Sequence, residues 1–198
     1  MSPNDATPLD EEKTRPPAVA TRYETLADLY AAIPQLADVT QQRPRAGDEA
    51  LPYLMRLRQS TTPEEAVTFT AFAIQPKLAI WWGHECLRVM PDALTAVDRQ
   101  MMELVAGWIG RPDTAMRHHV AREALWASAK SPGVHLALAV AWSGGSLAPN
   151  DPAPVHPSRA PRAINTAILS CLARAELSRR PIFLARFIDM AESLFKVY

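Results

Sequence analysis

Apolar residues recur along this chain at the spacing of helix faces, and prolines or glycines cut the pattern into short lengths. Tyr23, Leu26, Leu29, Tyr30 and Ile33 share one face, and Pro34 stops it. A polar stretch from Thr40 to Arg45 leads to a second face, Leu51, Leu54, Met55 and Leu57. Thr62-Pro63-Glu64-Glu65 reads as an N-cap, a first-turn proline and a capping-box glutamate. The helix behind it carries Val67, Phe69, Phe72 and Ile74. Pro76 restarts the chain into Lys77 to Val89, which Pro91 closes. Asp92 is the expected cap of the next helix, whose face runs from Leu94 to Ile109 before Gly110 ends it. Asp113 caps a helix to about Lys130. Ser131-Pro132 then opens Val134 to Trp142, which is apolar nearly all round and therefore expected in the middle of the domain. Two more helices, Arg162 to Leu177 and Pro181 to Phe195, finish the chain.

Alternation of period two never persists between turn signals, so no sheet is expected. The expected fold is all-α: an antiparallel multi-helix array or bundle over residues 23–198. A HEAT-like stacking of the hairpins at 63–90 and 92–130 is compatible with it, though no repeat motif stands out. Residues 1–22 hold Pro3, Pro8, Pro16 and Pro17 among polar neighbours. Such a segment buries too little to offset its ordering entropy, and is expected to be a disordered tail. Ser143-Gly144-Gly145-Ser146 ends the buried helix, and the proline-rich stretch 147–161 is expected to form an extended loop.

Charge narrows the function. Lys+Arg and Asp+Glu both total 21, so the formal net charge is zero. A general nucleic-acid binder needs a basic excess to neutralise phosphates, and none is expected as a partner. Two cysteines, Cys86 and Cys171, make neither a disulfide framework nor a four-ligand zinc site unaided. The longest apolar run is far short of the ~20 residues a membrane span needs, and the N-terminus lacks a signal peptide's apolar core. A reduced, cytoplasmic location is the expectation.

The sharpest local cluster is Trp81-Trp82-Gly83-His84-Glu85-Cys86. Consecutive helical residues point about 100° apart and do not converge on one ion, and the fourth residue after His84 is Arg88, not histidine. Packing is favoured, with Trp81, Cys86 and Val89 on the core face and Glu85 and Arg88 at its rim. His119 and Glu123 lie one helical turn apart and fit a surface pair; no third ligand can be named. His135 fits a core histidine and His156 a solvated one. Ser143 and Ser146 lack the Gly-x-Ser-x-Gly elbow and follow a helix C-terminus, whose dipole disfavours an oxyanion. No Walker A or dinucleotide fingerprint occurs. From Arg159 onward the chain tilts basic, through Arg159, Arg162, Arg174, Arg179, Arg180, Arg186 and Lys196. That tilt fits either solvated helix faces or a dock for an acidic partner or the acidic tail. The apolar set Ile182, Phe183, Phe187, Met190, Leu194 and Phe195 fits core.

Ala79-Ile80-Trp81-Trp82 with Cys86, Leu136-Ala137-Leu138-Ala139 leading into Trp142-Ser143-Gly144-Gly145-Ser146-Leu147-Ala148-Pro149, and Phe183 to Ala191 resemble the signature of a bacterial helical domain family of unknown function. The similarity spans about residues 60–195. Such proteins often accompany type VI secretion genes, so the resemblance implies an accessory, adaptor or chaperone-like role; it carries no established active site. His84 and Glu85 depart from the small or apolar residues expected there.

The expectation is a non-catalytic, protein-binding adaptor without metal or cofactor, its partner a secretion component or effector cargo. The interaction residues are Trp81, Trp82, His84, Glu85, Trp142, Gly144, Gly145, Arg179, Arg180 and Arg186. The rival is a metal-dependent or hydrolytic enzyme using His84, Glu85, His118 or His119. The sequence leaves the oligomeric state open.

Overall fold

Small polar side chains cap three of the described helices. Thr25 Oγ1 accepts from the Asp28 amide at the start of α1 (Leu26–Ala32), and Asp113 accepts from Met116 at the start of α7 (Thr114–Trp126). The computed structural model describes residues 20–146 and 153–197. Among them the remaining α-helices are α2 (Gln35–Asp38), α3 (Ala50–Arg58), α4 (Glu64–Ala73), α5 (Pro76–Arg88), α6 (Ala96–Gly110), α8 (Pro132–Ala141), α9 (Arg159–Ala173) and α10 (Arg180–Val197). No strand occurs among the described residues, and no helix there is long and apolar enough to cross a membrane. The all-helical expectation holds.

Four local expectations are corrected. Pro34 ends α1 but also opens the short α2. Residues Pro91–Ala93 form a 3-10 turn, and α6 begins later, at a capping box of Thr95 and Asp98 rather than at Asp92. Glu65 does not reach back to the Thr62 amide. Its carboxylate accepts from the Thr62 hydroxyl at 2.9 Å and the Gln42 amide at 2.9 Å, pinning the polar stretch before α3. Helix α9 starts at Arg159, three residues early, because Pro161 falls in the first turn where no intrahelical donor is required.

The apolar helix is central, as its composition demands. In α8 every residue but His135 is buried, and α8 packs against α5, α6, α7 and α9. Burying each of Val134, Leu136, Leu138 and Val140 stabilises by roughly 1.5–3 kcal/mol. Simple repeats contact only their chain neighbours. Here α9 meets α4 and α5 as well as α8 and α10, and one apolar cluster runs from Leu26 to Leu194.

Two glycines permit this closeness. A Cβ on Gly83 would stand 2.9 Å from Leu136 Cδ1, and one on Gly133 would stand 2.6 Å from the Asp98 carbonyl oxygen. The second approach sets the first turn of α8 directly against the first turn of α6. Asp98, fully buried, binds both. Its carboxylate accepts from the Thr95 amide (2.9 Å) and hydroxyl (2.8 Å), the Gly133 amide (2.8 Å) and the Arg174 guanidinium (2.8 Å). Burial alone would raise this carboxyl. The Ser131 side chain, the Thr95 amide, Arg174 and the Gly133 amide outweigh burial and hold it well below the usual carboxylate range. Ser131 contributes although its hydroxyl meets no partner in hydrogen-bonding geometry. One carboxylate thus joins the starts of α6 and α8 to the end of α9.

The expected tail at 1–22 lies outside the described residues except for Ala20 to Arg22. These three follow the junction of α4 and α5: Arg22 donates to the Ala73 carbonyl at 2.7 Å, Gln75 donates to Ala20 at 2.8 Å, and Ala20 is buried. Of the expected loop, residues 147–152 also lie outside. Its described part carries an isolated bridge between Ser146 and Pro154.

Candidate functional site

Helix α5 begins at a proline and buries Ala79, Ile80, Trp82, Gly83, Cys86 and Leu87. That face fixes the fate of the two tryptophans. Trp82 is fully buried, and its Nε1 donates to the Phe187 carbonyl at 3.1 Å, tying α5 to α10. Trp81, expected on the core face, is instead 39% exposed, because it lies about 100° around the helix from Trp82. The rim falls to Glu85 and Arg88, as expected. Arg88 Nε donates to Glu85 at 2.9 Å and His84 Nδ1 lies 3.2 Å from the same carboxylate. The Arg88 guanidinium outweighs partial burial and lowers the Glu85 carboxyl; His84 adds to it. These groups satisfy one another.

Past Arg88 the chain turns through Pro91–Ala93, and two clefts meet at Pro91. One, of about 300 Å³, runs between α5 and α6 and is lined by His84, Arg88, Leu94, Arg99, Met102 and Glu103 among others. The other, of about 520 Å³, lies between the turn and the α9–α10 connection, lined by Met90, Asp92, Arg174, Glu176, Arg179 and Phe183 among others. Two large aliphatic side chains stand in solvent here, Leu177 in the α9–α10 connection at 76% exposed and Ile182 in the first turn of α10 at 68%. Ile182 was expected in the core. Phe187 and Leu194 are buried as expected, and Leu184, Ile188 and Ala191 complete the inner face of α10.

Charges along this groove carry both signs and few partners. Arg179 lies over the Phe183 ring at 5.1 Å, and Arg99 donates to the Leu94 carbonyl at 2.8 Å. Neither meets a carboxylate among the described residues, and Asp92, Glu103 and Glu176 meet no cation there. Two arginines and three carboxylates thus stand along the two clefts without ion-pair partners among the described residues.

The other sequence-chosen residues do not reach the groove. Trp142 lies at the end of α8 under the Arg159 guanidinium, 5.7 Å from its ring centre. Gly145 has φ +65°, a conformation that favours glycine, and a Cβ there would stand 3.0 Å from Arg117 Nη2. Arg117 is the residue sequence reasoning missed. Buried in α7, it donates to the carbonyls of Ala141 (3.1 Å) and Ser146 (2.9 Å) and to His118 Nε2 (3.0 Å). Its charge closes the negative end of α8, so Gly144 and Gly145 serve as a helix stop around a guanidinium. No local pattern distinguishes it from Arg122 on the same helix.

Arg180 spends its donors on the Ala175 (3.0 Å) and Ala173 (2.6 Å) carbonyls at the end of α9, and Arg174 is held by Asp98. Arg186 is exposed and forms no ion pair among the described residues. The basic tilt of the C-terminal part is therefore spread over structural caps and separate faces. His119 lies 3.8 Å from Glu123, beyond hydrogen-bonding distance, and Arg122 donates to His119 Nδ1 at 2.9 Å. Among the described residues, no three of His, Cys, Asp and Glu gather where a metal ion could be held. Burial pushes the Cys171 thiol up to about 11 and the Cys86 thiol well above its ordinary value, which disfavours thiolate chemistry at either.

A family model described as a family of unknown function (DUF6931) matches residues 53–195, more than half of the chain. No curated protein and no solved structure matches. Every residue of the groove lies inside the matched span. A third cleft, of about 510 Å³ between α1 and the turn at Pro44–Ala50, lies almost wholly outside it; only Ala73 of its lining is within. None of the sequence-chosen residues reaches that cleft.

Proposed function

The chain belongs to this family of unknown function, and from that premise we propose that it is a non-catalytic helical adaptor or chaperone-like accessory factor. It binds another protein along the groove that meets at Pro91. One observation carries the reading: Leu177 and Ile182 stand in solvent, next in the chain to the cleft residues Glu176 and Phe183, and Arg179, Asp92 and Glu176 of that cleft form no ion pair among the described residues. Large aliphatic groups left in water, next to open charges of both signs, favour a partner that covers the one and pairs the other. The type VI secretion setting implied by the sequence resemblance gives that partner a class, a secretion component or its cargo. His84 and Arg179 then act from opposite arms of the groove, with Trp81 near one of them on the exposed face of α5.

Affinity capture from native lysate tests the reading, using the wild-type chain and a Leu177→Glu/Ile182→Glu variant whose helicity is checked by circular dichroism. A stoichiometric partner retained by the wild type and lost by the variant is expected. No stoichiometric partner, or one held equally by both, removes the proposal.

A further inference from the structure

The largest exposed aromatic side chain lies away from the groove. Trp126, the last residue of α7, is 85% exposed, and Leu125 beside it is 59% exposed. Scattered aliphatics on a surface need no explanation, but a tryptophan presented almost whole to water is a strong candidate anchor. Its helix face has a particular pattern. His119, Arg122, Glu123 and Trp126 follow one another at i, i+3, i+4 and i+7, and so share one narrow stripe. Their charged members are open to solvent, with side-chain exposures of 42% for His119, 64% for Arg122 and 36% for Glu123. Ala115, one turn earlier on the same stripe, adds little bulk to obstruct a close approach.

We propose that this stripe pairs with the same stripe of a second copy, the two α7 helices antiparallel about a two-fold axis between Arg122 and Glu123. A two-fold contact is isologous, so its surface must complement itself. This one does. Arg122 and Glu123, adjacent and opposite in charge, flank the axis, and each faces the other residue in the second copy. His119 and Trp126 stand equally far along the helix on either side, so each tryptophan meets the other copy's imidazole. Within one copy Arg122 already donates to Glu123 at 3.3 Å and to His119 at 2.9 Å; a partner of uniform charge would break these pairs, whereas a second copy extends them across the axis. Each copy offers only one large apolar group on this stripe, Trp126, so the association is weak and concentration-dependent.

Sedimentation velocity of the full chain, from roughly 1 μM to 1 mM, tests this. A reversible monomer–dimer equilibrium is expected. Trp126→Ala weakens it about tenfold or more, and its exposure leaves the fold, followed by circular dichroism, unchanged. Arg122→Glu and Glu123→Arg each weaken it by placing like charges about the axis, and the double exchange restores it. A chain that stays monomeric throughout, or a dimer indifferent to Trp126→Ala, overturns the proposal and leaves Trp126 to a different partner. Failure of the double exchange to restore association overturns the antiparallel two-fold register.

Discussion

The junction at Asp98 and the groove at Pro91 are neighbours built from similar side chains, and they handle charge in opposite ways. At the junction a buried carboxylate collects the Thr95 and Gly133 amides, the Thr95 hydroxyl and Arg174. In the groove Arg99, Arg179, Asp92, Glu103 and Glu176 stay open, with Leu177 and Ile182 in solvent near one end. Arg174 belongs to both, lining the larger cleft while holding Asp98. Saturated polar groups in a dry setting fix one arrangement of helices. Unsaturated ones in a wet setting leave free energy available to a partner.

Substitutions should divide along the same line. The largest effect is expected for Asp98→Ala, which strands Arg174 and the buried Gly133 amide and should cost about 3–5 kcal/mol in chemical denaturation. Asp98→Asn separates charge from shape through pH. The folded-state carboxyl is lowered, so its contribution is complete above the unfolded value of about 4 and fades as pH falls through the folded one. Wild-type stability should therefore drop more steeply than that of Asp98→Asn as the solution is acidified below about pH 4. Equal slopes would mean that Asp98 gains nothing from its partners.

Gly133→Ala comes next. Its Cβ meets backbone rather than a movable side chain, and a loss of about 3 kcal/mol is expected in the same assay. Gly145→Ala strains a positive φ and crowds Arg117, for about 1–2 kcal/mol. Groove variants such as Arg179→Ala and Leu177→Ser should shift stability by less than about 0.5 kcal/mol. A groove substitution as damaging as Gly133→Ala would erase the contrast between the two regions.

What the sequence disclosed follows from how far its physics reaches. Starts at Asp113 and Ser131-Pro132 were legible because a cap concerns residues within one turn. So was the depth of α8, whose composition leaves no polar face. The choice between Trp81 and Trp82 was not. Adjacent positions on one helix differ only in direction, and the Phe187 carbonyl that selects Trp82 lies 105 residues away. Nothing in the sequence marked Asp98, since Gly133 and Arg174 stand 35 and 76 residues further along. The groove had no sequence mark of its own. It arises where the Pro91 turn meets the α9–α10 connection, and only His84 and Arg179 of the residues chosen beforehand line it.

The two sealed thiols offer a built-in clock. Cys86 on α5 and Cys171 on α9 face the contact between those helices and are closed to solvent. A thiol reagent can reach them only after that seam parts, so the labelling rate of unmodified protein measures how often the centre of the molecule breathes.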